Sequence, residues 1–202
     1  MTVLSEENIL KNPLEQFARW YLEADAHEKI QYASAVCLST VDESLKPDSR
    51  VVLLKEFSEQ GFVFYTNLFS KKGKQLQQHP HAALNFYWQW LNRQVIVRGT
   101  VSQVSDQQAD GYFASRPRGS QISAWASKQS EVLESRAFLE KRFHDINLKF
   151  ENQDIPRPQH WSGLRLVPEQ IEFWQEREDR LHDRFLYQKT DKNKWEIRRL
   201  YP

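Results

Sequence analysis

The sequence predicts a mainly β (α+β) fold, an antiparallel β-barrel with flanking helices. Three observations predict it. Five strand-like runs crowd residues 35–104 with short turns between them, leaving little room for the crossover helices of a parallel sheet. Helical spacing lies mainly before and after these runs. No GxGxxG or GxxxxGK motif is present to open a Rossmann or P-loop unit.

The elements follow in order. Asn12-Pro13 reads as a helix start, an N-cap residue followed by Pro at the first helical position. Leu14, Phe17, Ala18, Tyr21 and Leu22 then recur at helical spacing and form one apolar stripe. Residues 35–40 (AVCLST), 49–57 (SRVVLLKEF) and 62–66 (FVFYT) are strands, the last two joined by a hairpin turn at Glu59-Gln60-Gly61. Residues 70–78 form a polar helix that Pro80 ends. Residues 82–88 and 94–104 supply two more strands. Ser105, with Gln108 three residues on, opens a helix to Ser115. Arg116-Pro117-Arg118-Gly119-Ser120 reads as a loop, and 135–150 as a longer helix. After a stiff Ile155-Pro156-Arg157-Pro158 connector come strand-like pieces at 164–167, 170–175 and 181–187, and the chain ends on 195–200.

Composition narrows the function. The chain has 202 residues, and its formal net charge of +1 provides no global field for nucleic acid or anionic lipid. Its single cysteine, Cys37, excludes an internal disulfide and any multi-cysteine metal site. No HExxH is present and the histidines are scattered, so no metal is expected. Without GxSxG, a hydrolase elbow is excluded too. The N-terminus lacks the basic start and apolar run of a signal peptide, and no apolar run reaches the ~20 residues of a membrane helix. The chain is expected in the cytoplasm, away from membranes and nucleic acid. An aromatic content of 13% suits a packed core, a flat-ring ligand or a subunit interface.

What remains is a set of local cationic clusters: Arg50 with Lys55, Lys71 with Lys72, Arg116 with Arg118, and the alternating Arg180, His182 and Arg184. Arginine forks and lysine point charges both suit phosphate oxygens, but each cluster also reads as a solvated face. If 181–187 is a strand, Arg180, His182 and Arg184 share one face. They then form either an anion-facing wall or, with Glu178, Asp179 and Asp183, an exposed salt-bridged strand. Strict alternation sends Arg50 and Lys55 to opposite faces; a bulge or strand end is needed to bring both to one ligand.

Four runs, SRVVLLKEF, GFVFYTN, RPRGSQISAWASKQS and IEFWQEREDRLHDR, occur in this order. Together they resemble the pyridoxine/pyridoxamine 5′-phosphate oxidase family over nearly the whole chain, from about Asn12 to Pro202. The resemblance implies a homodimer of FMN-binding split β-barrels. Residues 1–28 would be an N-terminal helical segment, 29–157 the FMN-binding core, and 158–202 C-terminal strands completing the active site and dimer interface. By the same resemblance FMN is held by Arg50, Val51, Val52, Leu53, Leu54, Lys55, Tyr65, Thr66, Lys71 and Lys72. Gln94, Gln129, Ser130, Trp174 and Arg184 complete that site, partly from the second subunit. Lys55, Tyr112, Arg116 and Ser120 take the substrate phosphate, and Arg180 and His182 lie over the substrate ring as the catalytic pair.

The implied reaction is oxidation of pyridoxamine or pyridoxine 5′-phosphate to pyridoxal 5′-phosphate, with oxygen as acceptor and hydrogen peroxide as product. The sequence departs from the family pattern in three places. Lys71 stands where Arg is common, Glu176 replaces the glycine of a WQGR run, and the basic, tyrosine-bearing N-terminal motif is not evident. Two other readings share the scaffold: a flavin oxidase of the phenazine-pathway type acting on a larger aromatic substrate, and a non-catalytic binder of FMN or pyridoxal phosphate.

Overall fold

The computed structural model describes residues 3–190 and 194–202. Its strands are β1 (Ala35–Val41), β2 (Pro47–Leu53), β3 (Glu56–Ser58), β4 (Gly61–Asn67), β5 (His81–Trp88), β6 (Arg93–Gln103), β7 (Trp161–Gln175), β8 (Asp183–Lys189) and β9 (Trp195–Leu200). Its helices are α1 (Pro13–Asp25), α2 (Lys71–Gln78), α3 (Asp106–Ser115), α4 (Arg118–Ala126) and α5 (Arg136–Lys149). All strand pairs are antiparallel, in the order β2-β1-β5-β6-β7-β4-β3, with β8 and β9 continuing from β7. The result is the mainly β split barrel that the sequence predicts.

The curled sheet is bridged where β2 passes into β3. The Leu54 N–H donates to the Ser34 carbonyl at 2.8 Å, ahead of β1, and the next N–H, of Lys55, donates to the Val63 carbonyl on β4 at 2.9 Å. Residues 49–57 are thus two strands rather than one, because these consecutive amides serve opposite walls. On the other side, β7 is one strand through 161–175, not two. Pro168 has no N–H to donate, and the register of β6 against β7 shifts there between Arg98 and Gly99. A Cβ on Gly99 would lie 1.9 Å from the Val167 carbonyl oxygen, so only glycine fits the bulge.

Two further expectations are corrected. Arg118, Gly119 and Ser120 belong to α4 rather than to a loop: Pro117, fixed at φ −53°, is the N-cap and its carbonyl accepts from Ser120 and Gln121. Nor does the last strand-like run begin at 181. Glu178–Arg180 is a short 3₁₀ turn with Asp179 (φ 54°) and Arg180 (φ 62°) in the left-handed region, and β8 starts only at Asp183. Arg180 and His182 therefore lie outside the strand, and the shared-face argument for Arg180, His182 and Arg184 does not hold.

Helix α1 fills the barrel interior. Asn12 caps it through Leu14 N–H and Pro13 takes the first position; Leu14 and Phe17 of the expected stripe turn inward with Trp20 and Ala24, while Leu22 faces outward. Phe17 is fully buried and packs edge-on against Phe57, Phe62 and Phe86, with centroids 4.9–5.0 Å away. One hydrophobic cluster runs from Leu4 through the barrel strands to Tyr187, so the 1–28, 29–157 and 158–202 segments share a core and β7 is barrel wall. A second cluster, around Phe113, Ile122, Phe150 and Trp161, seats α3 and α4 beside the mouth. Phe17→Ala is expected to cost about 3–5 kcal/mol in urea unfolding, while Leu22→Ala, on the exposed face of α1, stays within about 0.5 kcal/mol.

Candidate active site

A cleft of about 1040 Å³ opens between β2, β4, the start of α2, the α3–α4 corner and residues 127–130. Among the described residues five cationic side chains, Arg50, Lys55, Lys71, Lys72 and Arg116, line it against one carboxylate, Asp48. β2 and β4 deliver the first wall. Arg50 donates to Thr40 Oγ1 (2.5 Å) and Gln75 Oε1 (3.1 Å) and pairs with Asp48 at 2.8 Å. Lys71 reaches the same Asp48 oxygen at 2.9 Å, and its hydrogen bond holds that carboxyl below the usual range.

Lys72 is more deeply placed, at 8% exposure, and among the described residues its hydrogen-bond partners are neutral: Gln129 Oε1 at 2.9 Å and Ser70 Oγ at 3.3 Å. Burial lowers its pKa, and nearby Arg50 adds to the shift. Ser70 caps α2 through Gly73 N–H, so both lysines sit in the first turn of a helix whose positive end faces the cleft. Gln129 also accepts from Thr66 Oγ1 at 3.4 Å, and Ser130 beside it takes a left-handed φ of 75°.

The second wall is aromatic. Tyr65 stacks on Tyr112 with centroids 3.9 Å apart and on Trp161 at 5.2 Å. Burial pushes the Tyr65 phenol up. Gly163, opposite Tyr65 in the β4–β7 register, makes room for that ring: a Cβ there would come within 2.8 Å of it. Arg116 lies over Trp161 at 4.7 Å and Phe113 at 5.6 Å. Its Nη1 is buried and has no partner among the described residues, and burial lowers its pKa. A buried guanidinium nitrogen without an acceptor, in a wall rich in cations, has the chemistry that suits an anion.

The remaining predicted residues lie elsewhere. The Leu54 side chain is in the core, 4% exposed, so only its backbone is near the cleft wall. Gln94, Trp174 and Arg184 form one cross-strand row over β6, β7 and β8. Arg184 is fixed by Glu172 through Nε (2.9 Å) and Nη2 (2.8 Å) and donates to the Tyr201 carbonyl. The His182 ring lies 4.8 Å from Trp174, and its Nδ1 accepts from Arg177 N–H at 3.1 Å. In the neutral ring the proton is therefore on Nε2, which is left as a donor. Arg180 is exposed at the left-handed turn beside it.

Known proteins place this arrangement. A model of pyridoxamine 5′-phosphate oxidase matches residues 22–150, and one of the pyridoxine 5′-phosphate oxidase C-terminal dimerisation region matches 161–202. The chain belongs to the pyridoxamine 5′-phosphate oxidase family. It is 48% identical over 202 residues to the pyridoxine/pyridoxamine 5′-phosphate oxidase of Trichormus variabilis, covering 100% of this chain and 94% of that one. The enzyme of the same name from Caulobacter vibrioides is 50% identical over 200 residues, 99% of this chain and 87% of that one. Among solved structures, PhzG from Burkholderia lata, in complex with tetrahydrophenazine-1-carboxylic acid, superposes with a TM-score of 0.91 at 27% identity, over 99% of this chain and 98% of that one.

Against this family background the cleft gathers fourteen of the residues expected at the site: Arg50, Val51, Val52, Leu53, Lys55, Tyr65, Thr66, Lys71, Lys72, Tyr112, Arg116, Ser120, Gln129 and Ser130. Gln94, Trp174, Arg184, Arg180 and His182 are not among its lining residues. Sequence reasoning missed Asp48, Trp161 and Gly163. Asp48 had a signal, since two residues from Arg50 on a strand is the same face. Gly163 inside a strand-like run also signals close approach, whereas nothing local marks Trp161 as the platform for Arg116. Lys72→Met is expected to raise the melting temperature of the ligand-free protein by roughly 2–4 °C, since a buried charge with neutral partners is removed. The same variant binds a phosphate monoester at least ~10-fold more weakly, read by titration calorimetry.

Proposed function

We propose that the protein oxidises pyridoxamine 5′-phosphate or pyridoxine 5′-phosphate to pyridoxal 5′-phosphate, with FMN as cofactor and oxygen as acceptor, releasing hydrogen peroxide. The observation that carries this reading is the cleft with five cations against one carboxylate and a buried, unsatisfied Arg116 nitrogen. That donor set fits two phosphate-bearing molecules better than an uncharged aromatic. Relatives of the same name at 48–50% identity support it.

The residues fit FMN. Residues 50–55 with Tyr65, Thr66, Lys71 and Lys72 would hold it, with Gln129 and Ser130 closing the near side. Gln94, Trp174 and Arg184 would complete the site from a second copy, in a homodimer that shares its flavin sites. Lys55, Tyr112, Arg116 and Ser120 would hold the substrate phosphate. Bound FMN supplies a two-electron acceptor that passes its electrons to oxygen. The chain supplies position and charge: the phosphate clamp fixes one end of the substrate, and Arg180 and His182 meet the ring at the other. The amine substrate loses two hydrogens to become an imine, and water converts it to the aldehyde and ammonia. The alcohol substrate gives the aldehyde directly.

Aerobic turnover of the FMN-loaded protein should yield aldehyde and peroxide in equal amounts with either substrate. A protein that holds FMN and forms neither product from both substrates would sink this reading. Likeness to PhzG favours a second substrate class, an unphosphorylated tricyclic, and a substrate-range assay separates the two. Arg180→Ala should lower kcat by about 100-fold or more while FMN content stays at the wild-type level.

A further inference from the structure

The loop that carries Arg180 and His182 spans residues 176–182, between the end of β7 and the start of β8. Two consecutive non-glycine residues in it, Asp179 and Arg180, hold left-handed backbone conformations. Such a conformation persists only where the surroundings impose it. The contacts that tie the two stems of this loop together converge on Asp183, which is 6% exposed. Its Oδ2 accepts from Arg177 Nε at 2.5 Å, and its Oδ1 accepts from Arg199 Nη2 at 2.5 Å. Arg177 in turn gives its backbone N–H to His182 Nδ1.

The far end of this chain of charges is the N-terminal segment. Arg199 Nη1 donates to both Glu6 oxygens, at 2.9 and 3.0 Å, and its guanidinium lies over Phe185 at 5.1 Å. Two residues earlier, Leu4 is buried, and its N–H donates to Gln175 Oε1 at 2.7 Å. The segment thus touches both stems of the loop, Gln175 directly and Asp183 through Arg199.

We propose that Asp183 is a positioning residue for the reaction, holding Arg177 so that His182 and Arg180 keep their places, with Glu6 and Arg199 bracing it from the N-terminal segment. Asp183 acts through Arg177, and no role in contact with the substrate is assigned to it. The inference rests on the oxidase reading for the purpose of the loop, but the clamp itself has a readout that needs no turnover.

The test is Asp183→Asn in the full chain, measured with and without FMN. Hydrogen exchange of the 176–182 peptide in the FMN-free protein should accelerate at least ~10-fold. In the loaded protein kcat should fall roughly 10-fold or more, with KM and FMN content changed less than about twofold. Wild-type exchange and wild-type kcat would overturn the proposal. So would a joint fall of kcat, FMN content and melting temperature, which marks a role in the fold alone. Glu6→Gln covers the case in which the buried variant fails to fold, because the Glu6 side chain is 65% exposed. It should speed the same exchange and lower kcat by about 2–3-fold, and unchanged exchange in that variant refutes the brace. A wild-type protein without turnover would overturn the oxidase reading instead, leaving the clamp to be judged on exchange.

Discussion

Two successive backbone N–H groups, of Leu54 and Lys55, donate to opposite walls of the curled sheet, and the geometry of the cleft depends on that divergence. In an unbroken strand Arg50 and Lys55 would face opposite ways. The break removes that parity. It sinks the Leu54 side chain into the core and gives Lys55 to the same cleft as Arg50. It also joins β1 to β4 by a continuous ribbon, so that β2 and β4, which share no ladder, line one space. Phe17 and its aromatic neighbours fill the interior behind them and keep the walls apart.

Assembling like charges has a cost that the rest of the fold must offset. Asp48 relieves part of it by bridging Arg50 and Lys71 at the more exposed side. Lys72 feels Asp48 only through space, its direct contacts being an amide and a hydroxyl, and Arg116 lies over two aromatic faces. These are partners that orient a cation without neutralising it. In the proposed function an entering phosphate would meet donors already aimed, in a partly buried setting where each charge-assisted hydrogen bond counts for more. On that reading the arrangement would exchange stability of the empty fold for affinity, a trade common at binding sites.

Local chemistry was the legible part of the sequence. Asn12-Pro13, Ser105 and Ser135 each cap the helix that their residue type announces. The β-branched and aromatic runs became strands, and the cationic clusters at 50–55, 71–72 and 116 met in one place. What escaped depends on partners distant in sequence. The break at Leu54 is set by Ser34 and Val63, and the continuity of β7 through Pro168 by Gly99 on the neighbouring strand, while the late start of β8 follows a 3₁₀ turn with two left-handed residues that no residue type announces. Period-2 alternation says nothing of such contacts. It therefore started the last run at Leu181, beside Arg180, two residues before β8 begins.

The fork of β7 explains why the expected site residues fall into two groups. β6 runs along one edge of this strand, while the other edge is divided, β4 pairing with 161–166 and β8 with 170–175. Trp161 and Gly163 thus stand at the cleft end, with Trp174 and its row-mates Gln94 and Arg184 at the other. Trp174 lies thirteen positions after Trp161, and at ~3.3 Å per residue the strand between them spans about 43 Å before twist and the bulge shorten it. One flavin-sized ligand does not bridge that distance within a single chain. A twofold axis that sets one copy's cleft against the other copy's β6–β8 row removes the difficulty, because each group then meets its complement across the interface. In that proposed homodimer the left-handed loop with Arg180 and His182 arrives with the same row, since β8 begins where the loop ends. The split of the barrel and the division of the site follow from one feature, a strand long enough to serve two edges.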